Sequence, residues 1–186
     1  FAPPTADVIE DGVMIIWLVG LSGAGKTTIA RELHTRWQAV NPATVLIDGD
    51  EVREIFQHDQ SPAAYTKEGR RINAQRIAAM SAWLDRQNIN AVVSILCIFP
   101  DILAANKSRY SGYFEAFIDA PMAALEGRDG KGLYAAARRG EMADVVGVDI
   151  PFPIPEHPDL TIQNNGPSLD AGAIAATILA RIGVAT

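Results

Sequence analysis

Residues 20 to 28 read Gly-Leu-Ser-Gly-Ala-Gly-Lys-Thr-Thr, which satisfies the spacing G-x-x-x-x-G-K-[ST]. That pattern makes a phosphate cradle. Gly20, Gly23 and Gly25 leave the backbone N–H groups of the stretch, Ser22 and Ala24 included, free to converge on phosphate oxygens. Lys26 can reach the outer phosphates, the Thr27 hydroxyl is placed to hold Mg²⁺, and Thr28 continues into a helix whose N-terminus favours anions. A glycine-rich turn that binds nothing is the bland alternative. The flanks argue against it: the apolar run Val13 to Val19 enters the loop as a buried strand, and Thr28 to Leu33 leaves it as a helix.

A second group, Asp48-Gly49-Asp50-Glu51-Val52-Arg53, follows the apolar run Thr44 to Ile47 and should open at the same sheet edge. A hydroxyl nucleophile needs a base or hydrogen-bond acceptor beside it, Mg²⁺ needs an anionic neighbourhood, and Arg53 suits an anionic acceptor. An Asp-Gly turn with capping carboxylates is the competing reading. Arg70, Asn73 and Arg76 share one face of a helix expected over 67–87, a face able to grip a phosphate or sulfate and a sugar hydroxyl. Spacing alone fits a solvated surface equally well. Tyr65, just ahead, is suited to stacking on a base, although residues alone favour ordinary packing. A third cluster runs Arg128-Asp129-Gly130-Lys131-Gly132-Leu133-Tyr134 and on to Arg138-Arg139. Cations entering a mobile loop neutralise charge as a phosphoryl group moves; exposed helix charges are the alternative. His34, His58 and His157 have no paired spacing and are assigned no metal or acid–base role.

The elements that must position these residues alternate between short apolar runs and helical patterns, the sequence form of a parallel sheet with helices on both faces. Strands are expected at 13–19, 43–47, 90–96, 113–118 and 159–163, which predicts an α/β fold with a parallel sheet of about five strands. Ile77, Met80 and Leu84 give the 67–87 helix a core-facing stripe, as Ile174, Ile178 and Ile182 do for one over 168–182. Two regions break this rhythm. Residues 56–66 are polar and turn-rich, and residues 140–158 hold four prolines and two glycines. Both are expected at the carboxyl ends of the strands, as a substrate loop and a lid; a surface connection is the alternative for the second.

With 186 residues, 48% of them hydrophobic, the chain can bury one core, and one domain is expected over 12–186. Residues 1–11, which begin with Phe1 and lack apolar periodicity, read as a leader or an interdomain linker; the linker reading implies fusion to another domain. The net charge of −6 argues against a broad nucleic-acid or anionic-membrane surface. No apolar run approaches a membrane span and no signal pattern opens the chain, so a cytoplasmic protein is expected. Cys97 is the single cysteine, which excludes an internal disulfide or a multi-thiolate metal site; a lone thiol is most often a packed core residue.

Taken together, GLSGAGKTT at 20–28, DGDEVR at 48–53, the Arg70, Asn73, Arg76 spacing, RDGKGLY at 128–134, Arg-Gly-Glu at 139–141 and VGVDIPF…PE…PDL at 146–160 resemble the adenylylsulfate kinase family from Gly12 to about Gly166. The resemblance implies a P-loop, nucleoside-kinase-like fold with a lid, commonly dimeric. It also implies transfer of phosphoryl from ATP·Mg²⁺ to the ribose 3′-hydroxyl of adenylylsulfate, giving 3′-phosphoadenylylsulfate and ADP. Carried over by position, Gly20 to Thr28 and Arg128 hold ATP and Mg²⁺, Asp50 accepts the hydroxyl proton, and Asp48 organises lysine and metal. Arg53, Tyr65, Arg70 and Asn73 bind the acceptor, joined by Cys97, Ile98 and Val145, while Lys131 closes over both ligands.

Three departures from the family stand out. Cys97 occupies the position of a serine sometimes labelled a phosphorylated intermediate, so direct in-line transfer is the simpler expectation. Gly130 replaces the usual proline and loosens the backbone there. Val145 stands where a lid aromatic would cover adenine, which costs a purine one stacking face, about 1 kcal/mol. This last difference, with the altered Ser94 to Phe99 segment, is similar to relatives from polysaccharide-modification pathways that phosphorylate a cytidine diphosphoramidate-type acceptor. A catalytically silent nucleotide-binding domain is the third reading, opposed by intact Lys26, Thr27 and Asp50.

Overall fold

The structure, a computed structural model, describes residues 12–130, 132–166 and 169–184. The expected linker over 1–11 and Lys131 lie outside the described residues. Five parallel strands, β1 (Ile15–Val19), β2 (Thr44–Asp48), β3 (Asn90–Ile95), β4 (Tyr113–Asp119) and β5 (Leu160–Gln163), form one sheet in the order β2-β3-β1-β4-β5. Their carboxyl ends therefore lie along one edge. The order reverses at β1, with β3 and β2 on one side and β4 and β5 on the other, the arrangement that opens a ligand crevice in such sheets.

Alternation along β1 explains why its run is apolar without a break. Ile15, Trp17 and Val19 pack into one core, while Ile16 and Leu18 pack into the other. A strand covered on both faces cannot show a polar face. The first core is closed by α3 (Lys67–Asp85) and α4 (Pro100–Arg109), through Ile77, Leu84, Ile102 and Leu103. The second is closed by α1 (Lys26–Val40) and α7 (Ala171–Arg181), through Ile29, Leu33, Ile178 and Leu179. Met80 and Ile174 of the expected stripes are only partly buried at the margins of these cores.

Strand boundaries fall within two residues of the expected ones. The group after β2 forms a helix, α2 (Gly49–Ile55), which the Asp48 Oδ1 caps by accepting the Asp50 N–H at 2.9 Å. Two short helices, α5 (Met122–Gly127) and α6 (Leu133–Arg138), flank the start of the basic segment, with Arg128 just past α5 and Arg138 at the end of α6. The 56–66 loop is not formless: Ser61 caps a 3-10 turn over Pro62–Tyr65. Gly69 lets that turn lie on α3, since a Cβ there would stand 2.1 Å from the Ala63 carbonyl oxygen. Over 140–158, Val146 and Ile150 form an isolated bridge, and the Asp149 carboxylate accepts the N–H groups of Asp144 and Val145.

Candidate active site

The loop after β1 ends at Gly25, which has φ of 98° and makes no side-chain cap for α1. The first-turn donors of a 15-residue helix are thus left for a ligand. The Gly25 backbone angle demands glycine, whereas the nearest atom to an added Cβ, Leu169 Cδ2 at 2.7 Å, is the tip of a side chain that can shift. Lys26 is buried and donates from Nζ to the Leu21 carbonyl oxygen at 2.7 Å. Burial lowers its pKa to about 8, while the charges of Asp50 and Asp48 act to raise it. The Asp48 carboxylate bonds to the Thr27 hydroxyl next to the lysine and to the Asp50 N–H, which puts both acidic residues on the lysine's side of the sheet edge.

Asp48 serves two elements at once. Its Oδ1 caps α2, and its Oδ2 accepts the Thr27 hydroxyl at 2.8 Å. The capping and functional readings of Asp48 are therefore compatible. Ser94, one of two polar residues in β3 with Asn90, lies 3.3 Å from the Thr27 hydroxyl. A polar residue near the end of an otherwise apolar strand was a legible signal, yet the sequence reading gave Ser94 no site role. With the Thr27 proton directed to Asp48, its lone pairs remain available to a cation, and a threonine beside one carboxylate suits Mg²⁺, which takes few protein ligands and shares phosphate oxygens. Among the described residues no three His, Cys, Asp or Glu side chains form a metal cluster.

Asp50 projects into solvent with 79% of its side chain exposed and accepts from Arg53 Nη1 at 2.6 Å, whereas Arg53 is only 8% exposed. The Arg53 guanidinium lies 5.0 Å from the Tyr65 ring centroid and that of Arg70 lies 5.9 Å from it. Tyr65 is exposed, so core packing is not its role. Arg70 ties loop to lid, donating from Nε to the Tyr65 carbonyl oxygen at 2.8 Å and from Nη2 to that of Asp144 at 2.9 Å. Its pKa is lowered first by burial and then by the like charge of Arg53. Two guanidiniums held against one ring create a field that an anion would relieve.

Several expected acceptor residues stand elsewhere. Asn73 is buried and donates from Nδ2 to the Gly49 carbonyl oxygen at 2.9 Å, which makes it a brace for α2; its Oδ1 has no partner among the described residues. Cys97 and Ile98 are buried in the core beneath the site, because the chain after β3 turns inward before α4 begins. Burial pushes the Cys97 thiol up to about 12, as befits a packed residue. Val145 is likewise buried in the α1/α7 core rather than displayed over a base position. Arg76 turns to Phe56, 4.6 Å from its ring centroid.

Arg128 donates to the carbonyl oxygens of Ala124 and Asn164 at 3.0 and 3.1 Å, joining the basic segment to the end of β5. Arg138 and Arg139 are paired with Glu126 and Glu141 at the surface, as the helix-charge alternative foresaw. Beside the loop, a cavity of about 360 Å³ opens between the end of β4 and residues 147–154, lined by Leu21, Phe117, Met122, Val148 and Phe152. Phe152 stacks on Phe117 with ring centroids 5.9 Å apart, which fixes one wall.

A glycine-rich anion loop at the reversal point of a 2-3-1-4-5 parallel sheet, with an acidic residue from the next strand beside its lysine, defines a P-loop phosphotransferase with a hydroxyl acceptor. The family model for adenylylsulphate kinase matches residues 12–163, and the chain belongs to that family. An adenylyl-sulfate kinase of Paraburkholderia xenovorans is 37% identical over 161 residues, covering 85% of this chain and 87% of the relative. A cytidine diphosphoramidate kinase of Campylobacter jejuni is 39% identical over 157 residues, covering 84% and 89%. The APS kinase of Mycobacterium tuberculosis, solved in complex with AMPPNP and APS, superposes with a TM-score of 0.79 at 26% identity, over 92% of this chain and 98% of that one.

Proposed function

We propose that this kinase transfers the γ-phosphoryl of ATP to the ribose 3′-hydroxyl of adenylylsulfate, yielding 3′-phosphoadenylylsulfate and ADP. The observation that carries the reading is the Arg53, Tyr65 and Arg70 group beside the exposed Asp50. The two guanidiniums suit the anionic part of the acceptor, the Tyr65 ring offers a face to its base, and Asp50, solvent-exposed although its Oδ1 is paired with Arg53, is the carboxylate we assign to accept a hydroxyl proton. Lys26 draws charge off the transferring group, and Arg128 joins the ATP side. Mg²⁺, where bound, supplies charge neutralisation between the phosphates; Thr27 and Asp48 would hold it. Lys131 completes the proposal as a cation closing over both ligands, and Gly130 before it gives that closure freedom. A cytoplasmic homodimer, joined to a further domain, is the setting we propose. No helix among the described residues is long and apolar enough to cross a membrane, which fits it.

A second acceptor is favoured by one specific observation. With Val145 buried and aliphatic, no aromatic ring stands at that position to cover the second face of a purine, so a cytidine diphosphoramidate-type substrate is the competitor. The deciding measurement is kcat/KM for each acceptor with ATP and Mg²⁺. A preference for adenylylsulfate supports the first reading; a preference for the cytidine compound rejects it, and turnover of neither favours a silent binding domain.

A further inference from the structure

We infer that Tyr134 and Asn164 are positioning residues that orient the anion loop by pinning its carbonyl oxygens from outside. Tyr134, in α6, donates its hydroxyl to the Ser22 carbonyl oxygen at 2.7 Å across 112 residues of sequence. Asn164, just past β5, donates Nδ2 to the Ala24 carbonyl oxygen at 2.8 Å across 140 residues. Both side chains are buried.

A trans peptide unit is planar, so its C=O and the following N–H point in opposite directions. Holding the Ser22 carbonyl toward Tyr134 turns the Gly23 N–H away from it. Holding the Ala24 carbonyl toward Asn164 does the same for the Gly25 N–H. Neither amide donates to an acceptor among the described residues, whereas Ala24 N–H, between them, is spent internally on the Leu21 carbonyl oxygen at 3.2 Å. Gly23 and Gly25 have φ of 74° and 98°, and glycine by itself would let those peptides rotate. The two outer hydrogen bonds remove that freedom before any anion arrives, which is how pre-organisation raises affinity.

The clamp is itself braced. Arg128 donates to the Asn164 carbonyl oxygen, and the Asp129 carboxylate accepts the N–H groups of Leu133 and Ala135, fixing the helix that presents Tyr134. Burial pushes the Tyr134 hydroxyl up to about 12, so it remains a donor across the working pH range. The basic segment thus acts on the phosphates through the backbone it holds, as well as through its cations.

This inference rests on ATP as phosphoryl donor and is independent of the acceptor. Titration calorimetry of the full chain with ADP and with tripolyphosphate, each with Mg²⁺, tests it. Tyr134→Phe, which deletes one oxygen and keeps the ring, should weaken both ligands about three- to tenfold, the span expected for one lost hydrogen bond. Asn164→Leu should do the same. Adenylylsulfate affinity, titrated without ATP, should stay within twofold, a separation that general loosening of the fold would not produce. Unchanged ADP affinity in Tyr134→Phe, or equal losses for ADP and adenylylsulfate, overturns the inference. Failure of adenylylsulfate to bind the wild-type chain would count against the proposed acceptor and leave the ADP result standing.

Discussion

The two halves of the cleft are built on different principles. On the proposed donor side the groups offered to a ligand are mainly backbone amides, held by buried side chains and the start of a long helix. On the proposed acceptor side they are side chains: Asp50 and Tyr65 are exposed, Arg53 pairs with Asp50 and lies against the Tyr65 ring, and Arg70 donates to the Tyr65 and Asp144 carbonyl oxygens. A rigid amide nest recognises polyphosphate whatever the rest of the nucleotide is, whereas a set of adjustable cations around a ring can be retuned by a few substitutions. Two relatives of similar identity to this chain carry the names of kinases with different acceptors, as such a division would allow.

The contrast can be tested by damage to each half. Lys26→Ala should have the largest effect, a loss of about 10³-fold or more in kcat/KM, because it deletes the charge next to the transferring group; a loss under tenfold would deny the donor half its central cation. Asp50→Asn should follow, with kcat reduced about 10²- to 10⁴-fold and acceptor KM changed little. Near-normal turnover in that variant would remove Asp50 as base. Arg53→Ala is expected to raise acceptor KM roughly tenfold or more and leave ATP KM within twofold, the separation that distinguishes the halves in steady-state kinetics.

Smaller effects sharpen the picture. With the Lys26 pKa lowered to about 8, the ammonium is charged below that pH and neutral above it, so ADP affinity should decline as pH rises through 8. Lys26→Met should abolish that decline in calorimetric titrations at pH 7 and 9. Cys97→Ser should change kcat less than twofold, since the thiol is buried in the core, and native protein should resist thiol alkylation that unfolded protein undergoes. Rapid native-state labelling would place Cys97 at the cleft after all.

Legibility differed between the halves for the same physical reason. The loop from Gly20 to Thr28 is contiguous, and each of its residue types has a local job, so spacing alone exposed its chemistry. Asp48, Asp50 and Arg53 were readable because one strand and one helical turn carry all three. Position in a motif does not state which way a side chain turns: Cys97, Ile98 and Val145 are all buried, which for Cys97 is the packed position expected of a lone thiol. Asn73 lies within its expected helix yet spends its amide on the Gly49 carbonyl, a contact that no spacing rule contains.

From its residues alone the chain determined a parallel α/β sheet, because a doubly covered strand must be apolar throughout and a glycine–lysine loop between strand and helix leaves its amides unspent. Tertiary structure decided which distant residues hold those amides and which arginines gather at one tyrosine ring. Such contacts join residues as far apart as Ala24 and Asn164, and they exist only once the sheet has brought its carboxyl ends to a common edge.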